Sequence, residues 1–97
     1  MGFSTFKGFE WDVGNISKVQ ARLDLAAVEF AFQGQPYVGD DEIHSDSEKR
    51  WFLVNRIQDR YIFVVFTVRE ELIRVVSARY MRKREAKRYE EHFKDES

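Results

Sequence analysis

The sequence predicts an α+β fold, a small antiparallel sheet carrying two N-terminal helices and a C-terminal helix. Three observations lead there. Three β-rich runs follow one another at 50–57, 60–67 and 72–78, separated by Gln58-Asp59 and by Arg69-Glu70-Glu71, spacings that suit tight hairpins. The middle run contains Tyr61-Ile-Phe-Val-Val-Phe66, apolar at both alternations, as expected of a central strand buried on both faces. On either side of these runs the apolar residues recur at helical spacing instead.

Taken in order, residues 9–11 read as a short first strand. Asp12 is placed to cap a helix whose apolar positions are Ile16, Val19 and Leu23. Asp24 is placed to cap a second, with Leu25, Val28 and Phe32 on its apolar face, and Gly34 and Pro36 end it. A short strand near Tyr37-Val38 and a polar segment from Gly39 to Glu48 lead into the three strands. From Arg79 or Tyr80 to Phe93 the pattern is helical again. The element order is β-α-α-β-β-β-β-α.

The chain has 97 residues, the length of one domain over 1–97. It has no Cys, which excludes a disulfide framework, a thiolate metal site and a thiol nucleophile. Its apolar content of 43% argues against disorder. The longest apolar run is far too short to span a bilayer, and no compact apolar leader segment is present, so a cytoplasmic protein is expected. The net charge of −1 conceals an asymmetry. Residues 1–48 carry 3 bases and 9 acids, and residues 49–97 carry 13 bases and 8 acids. A near-neutral chain with such a division presents a strong local basic field.

The basic half holds most of the residues that could carry chemistry. On the C-terminal helix Met81, Glu85, Ala86, Tyr89 and Phe93 share one side, with Arg82 inside that arc, while Lys83, Arg84, Lys87 and Arg88 lie away from it. The outer charges fit either a solvated face or a surface that tracks phosphates. Glu85 calls for a partner, either a structural ion pair or a site role. Period-two alternation puts Ser77 and Arg79 on one face of the last strand and Arg74 on the other. An Arg at a strand end is well placed to grip a phosphate with its planar fork, or to neutralise nearby acids. In the acceptor-rich segment from Asp40 to Glu48, the oxygen ligands lack the spacing of a known calcium loop. His44 and Glu48, four apart, would share a face if a helical turn forms, and a His with a Glu supplies acid–base chemistry near neutral pH. Lys18 faces away from the core, as an ordinary surface lysine also does. Trp51, Phe52 and Tyr61 read as sheet-face aromatics.

In order, these residues form a pattern: Phe9-Glu-Trp-Asp12, Asn15-x-x-Lys18, His44-Ser-x-x-Glu48-x-Arg50, Val65-Phe-Thr-x-Arg69, Ile73-Arg-Val-Val-Ser-Ala-Arg79 and Glu85-x-x-x-Tyr89-Glu90. The pattern covers about residues 9 to 90 and resembles the BrnT family of bacterial toxins. The resemblance implies a RelE-like ribonuclease toxin of a type II toxin–antitoxin pair, acting without metal or cofactor to inhibit translation. It also implies a BrnA-type, ribbon-helix-helix antitoxin as partner, through which alone the complex contacts DNA. By position, it implies a site made of Lys18, His44, Glu48, Arg69, Ser77 and Arg79, with Arg74, Glu85 and Tyr89 nearby. Arg74, Arg82, Arg84 and Arg88 are the expected RNA-binding residues. Two positions depart from the family pattern. Val19 stands where many members have His, which removes a possible site imidazole, and Asp59-Arg60 stands where a Gly-Arg pair commonly opens the central strand.

Metal-free RNA cleavage needs a base for the 2′-hydroxyl, charges that hold the phosphorane and an acid for the leaving oxygen. His44 or Glu48 is the expected base, Arg79 and Arg69 the phosphate holders, and Lys18 a supporting charge or acid. The competing reading is a non-catalytic protein whose basic half docks nucleic acid or an acidic partner. A direct DNA-binding regulator is the weaker third, since the sequence has no helix-turn-helix or basic-region pattern.

Overall fold

The computed structural model describes residues 6–42 and 48–94. The elements are β1 (Gly8–Phe9), α1 (Ile16–Gln20), α2 (Leu25–Phe30), β2 (Tyr37–Asp40), β3 (Trp51–Ile57), β4 (Arg60–Arg69), β5 (Leu72–Tyr80), α3 (Lys83–Ala86), a 3-10 turn (Lys87–Tyr89) and α4 (Glu90–Phe93). The strands form one sheet in the order β1-β5-β4-β3-β2. Four neighbouring strands, β2 to β5, pair antiparallel, but β1 pairs parallel with β5, so the sheet is mixed rather than antiparallel throughout. The physical reason is connectivity. No hairpin joins β1 to β5; the chain returns to β1 only after a long crossover, which permits a parallel pair.

Local chemistry sets the element ends. Asp12 does not cap α1; Asn15 occupies that position, and the Asp12 carbonyl accepts the N–H groups of Asn15 and Ile16 at 3.1 and 2.8 Å. The buried Asn15 side chain fastens this turn to the sheet. Its amide donates to the carbonyls of Glu10 and Val75, both at 3.0 Å, and its Oδ1 accepts the Asp12 N–H at 2.8 Å. Asp24 takes the N-cap position of α2, in extended backbone and without a side-chain cap bond. β5 continues through Tyr80, two residues further than its sequence pattern implies, and helix resumes only at Lys83. Tyr80 pairs with Ile62, the Met81 N–H donates to the Tyr61 carbonyl at 2.7 Å, and the Arg60 guanidinium lies 3.6 Å above the Tyr80 ring. These contacts hold Arg79 and Tyr80 on the sheet against their helical periodicity.

Both faces of the sheet are covered in part. On the first, Val19, Leu23, Val28, Ala31 and Phe32 from α1, α2 and the turns after them pack on Leu53, Ile62, Val64, Phe66, Ile73, Val75 and Ala78. Phe32 stands edge-on to both Phe9 and Phe66, with ring centroids at 5.1 and 5.0 Å. Asn55 crosses this face and donates to the carbonyls of Ala31 and Gln33, securing the exit of α2. On the second face the C-terminal helical segment buries Phe93 against Tyr61, and Tyr37 meets Tyr89 and His92 edge-on.

The β4–β5 turn is Glu70-Glu71, with φ of 49° and 69°. Positive φ at both central residues is the type I′ requirement that Asn-Gly meets at low cost. A left-handed conformation costs about 1–2 kcal/mol for an ordinary residue. The double substitution Glu70→Asn, Glu71→Gly is therefore expected to raise stability by about 1 kcal/mol or more, read as a higher urea midpoint with an unchanged slope.

Candidate active site

The polar side chains of β5 lie on the second face because its alternation is broken once. Val65 of β4 pairs with Ser77, but the next residue, Phe66, pairs with Val75, so Val76 is an extra residue and forms a β-bulge. Ile73, Val75 and Ala78 thus all face the main core. Arg74, Ser77 and Arg79 face the other way together, opposite Thr67, Val65 and Phe63. The strict alternation expected from sequence, with Arg74 on its own face, does not hold for this reason.

Three arginines on or beside this face are each gripped by one carboxylate from a different segment. Arg69 donates from Nε and Nη2 to the two oxygens of Glu48, at 2.7 and 2.9 Å. Arg74 donates to both oxygens of Asp12, at 2.7 and 3.1 Å, and reaches Glu10 at 3.4 Å. Arg79 donates from Nη1 and Nη2 to the two oxygens of Glu85, both at 2.8 Å, with its guanidinium 5.2 Å from the Phe63 ring. Glu85 also accepts the Arg82 N–H at 3.0 Å, which satisfies the N-cap N–H at the start of α3. Such charge-assisted forks are the strong form of the hydrogen bond, and a phosphate would take the same geometry.

The forks perturb their acids in one direction. The bond from Arg79, then that from the Arg82 N–H, brings the Glu85 carboxyl down to about 2 from 4.5. The Arg74 bond lowers Asp12, and the Arg69 bond lowers Glu48. Glu48 is therefore a firmly ionised, weakly basic carboxylate. Burial raises the Tyr89 phenol, which sits against Tyr37 rather than in the site.

Beyond its short pairing with β1, the outer edge of β5 borders a basic cleft. One cavity of about 280 Å³ is lined by Lys18, Arg22, Ser77, Ala78 and Arg79. A second, of about 730 Å³, is lined by Arg22, Arg79, Tyr80, Arg82, Arg84 and Glu85. Arg22 and Arg79 line both, so the two cavities adjoin at the end of β5. Among the described residues, five cations surround the cleft against one carboxylate.

The structure thus brings together Lys18, Ser77, Arg79, Arg82 and Arg84. It sets Glu48 and Arg69 apart, because Arg69 pairs with Leu72 and Phe63 with Arg79, six residues along β4 or about 20 Å at strand rise. Arg74 lies between the two groups and is tied to the β1–α1 turn rather than free for a ligand. Arg88 is exposed and does not line either cavity. His44 falls outside the described residues. Val19 is 1% exposed in the main core, so this position does not face the cleft, and the departure there leaves the cleft lining unchanged. Sequence reasoning missed Arg22, whose signal was its four-residue spacing from Lys18, and Asp12, whose carboxylate serves Arg74 rather than a helix N-terminus.

Carboxyls lowered by folding add stability that is complete above their unfolded pKa and is lost as pH falls towards the folded value. For Glu85 that window runs from 4.5 down to about 2. Urea midpoints measured from pH 7 to pH 2 are expected to fall across it. Glu85→Gln should start lower at pH 7 and lose less on acidification.

The comparisons with known proteins now add to this geometry. The family described as the ribonuclease toxin BrnT of type II toxin–antitoxin systems matches residues 11–85, from Trp11 beside the Asp12–Arg74 fork to Glu85 in the cleft. No curated protein and no solved structure matches the chain. Residues 11–85 make up most of the chain and contain every described element from α1 to β5, so the protein belongs to the BrnT family of ribonuclease toxins of type II toxin–antitoxin systems.

Proposed function

We propose that this chain is a RelE-like, metal-independent endoribonuclease that arrests growth by inhibiting translation, held inactive by a BrnA-type ribbon-helix-helix antitoxin. DNA is contacted only through that complex. The observation that carries the reading is the cleft at the end of β5, where Lys18, Arg22 and Arg79 line one cavity with Ser77, and Arg22 and Arg79 line the adjoining one with Arg82, Arg84 and Glu85. A surface of this kind attracts the RNA backbone and stabilises charge that develops on phosphate.

In this reading Arg79 and Lys18 hold the phosphate under attack, and the Ser77 hydroxyl bonds one of its oxygens. The fork that Arg79 offers Glu85 is the one it offers phosphate, so substrate takes the place of the Glu85 carboxylate on Arg79. Arg82 and Arg84 carry the backbone onward. The candidate bases are His44, which lies outside the described residues, and Glu48. Glu48 is weakly basic in the grip of Arg69 and stands at the far end of the face, where it orients Arg69 for a more distant phosphate. The base accepts the 2′-hydroxyl proton, the 2′-oxygen attacks phosphorus, and the 5′-oxygen leaves with a proton given by Lys18, giving a 2′,3′-cyclic phosphate and a 5′-hydroxyl end.

The test is induction of the chain alone in a bacterium, with RNA integrity followed beside growth. Arrest with RNA fragments, relieved by the antitoxin and insensitive to chelator in the purified reaction, is the expected result. Arg79→Ala is expected to cost on the order of 10²–10³ in cleavage rate while circular dichroism stays native. A folded, fully toxic Arg79→Ala variant would contradict the assignment. A chain that binds RNA without cutting it would select the non-catalytic binding protein.

A further inference from the structure

Arg22 belongs to the cleft but to none of the pairs that occupy the other arginines of this face. It follows α1 in a continued helical turn, its N–H donating to the Val19 carbonyl at 3.0 Å. Buried Val19 and Leu23 on either side hold that turn on the core. Residues four apart on a helix share a face, which sets Arg22 beside Lys18. Both line the cavity with Ser77 and Arg79, and Arg22 lines the larger cavity with Arg82 and Arg84 as well. Arg69, Arg74 and Arg79 are each held by a carboxylate, whereas Arg22 makes no ion pair among the described residues. The one acid in the lining, Glu85, is engaged on both oxygens by Arg79. Arg22 is thus an exposed, uncommitted guanidinium at the junction of two basic cavities.

We propose that Arg22 binds the RNA phosphate next to the one held by Arg79, so that the cleft recognises two successive phosphates rather than one. The inference rests on the ribonuclease reading above. Arg22 contributes binding and register along the strand, not charge at the reacting phosphorus. Its planar fork suits a phosphate bidentately, and among the described residues no ion pair of Arg22 has to break when the phosphate arrives.

The test compares wild type, Arg22→Gln and Arg22→Lys on a single-stranded RNA hexamer and on a dinucleoside monophosphate, which offers only the scissile phosphate. Arg22 is exposed, and thermal melting checks that the variants fold as wild type does. For the hexamer, Arg22→Gln is expected to raise KM by about tenfold with kcat nearly unchanged, and to reduce the slope of log affinity against log salt by about 0.7. The dinucleoside is expected to be cut equally well by all three proteins, and Arg22→Lys is expected to restore most of the salt slope. An unchanged KM and slope on the hexamer, in a wild type that cuts RNA, would overturn the inference alone. An equal loss on the dinucleoside would place Arg22 at the reacting phosphate and overturn the flanking assignment. A wild type that neither binds nor cuts either RNA would overturn the ribonuclease reading and this inference with it.

Discussion

Between Val65 and Phe66 of β4, the partner strand β5 carries one residue too many, and Val76 bulges out of the ladder. A strand has a strict period of two, so an insertion of one exchanges the faces of everything beyond it. Without the bulge, the alternation set by Ile73 and Val75 would turn Ser77 and Arg79 into the main core and Ala78 out of it. With it, Ala78 stays buried at 3% exposed, and Arg74, Ser77 and Arg79 share the opposite face. The places of Ser77 and Arg79 in the cleft and the fork to Glu85 depend on that one displacement.

Gathering arginines on one face has an electrostatic cost that the fold offsets locally. Each of Arg69, Arg74 and Arg79 is answered by a carboxylate from a different segment: the approach to β3, the β1–α1 turn and the first turn of α3. These forks also do structural work, since the Asp12–Arg74 pair joins Asn15 in holding the β1–α1 turn to β5. The Arg79–Glu85 pair likewise fixes where α3 leaves the sheet. In the cleft itself the balance is different. Lys18, Arg22, Arg82 and Arg84 make no ion pair among the described residues, and this surplus leaves the cleft lining net basic.

Much of this was legible in the sequence, and the exceptions have physical causes. The α+β class, two short N-terminal helices and the β3-β4-β5 meander follow from periodicity, because long apolar runs with short polar breaks leave few alternatives. The parallel β1–β5 pair was not legible, since a strand as short as Gly8–Phe9 carries no signal for its partner. The extension of β5 through Tyr80 depends on a guanidinium stacked on the ring from the neighbouring strand, a tertiary contact invisible to local pattern. The resemblance singles out Lys18, Ser77 and Arg79, with Arg82 and Arg84 as expected RNA-binding residues, and the structure gathers these five along the end of β5. Arg74 was read on the wrong face because nothing in Ile73-Arg-Val-Val-Ser-Ala-Arg79 announces a bulge. Arg88 is grouped with the others by its place on the outer side of the helical wheel, and Glu48 by its spacing from His44 and by the family resemblance. Arg22 went unnoticed because a lone arginine at a helix end looks like any solvated side chain until the sheet edge is placed beside it.

The central claim is that RNA is bound and cut in the cleft along the end of β5. The most direct measurement is a nuclear magnetic resonance titration of the chain with a single-stranded RNA carrying a 2′-deoxy sugar at the cleaved position. That substitution removes the attacking hydroxyl and leaves the phosphates in place. The account predicts amide shifts concentrated at Lys18–Leu23 and Ser77–Glu85, with those of β2, Tyr37–Asp40, unmoved. Shifts concentrated instead on β2, or on the outer helix face around Lys87 and Arg88, would contradict it.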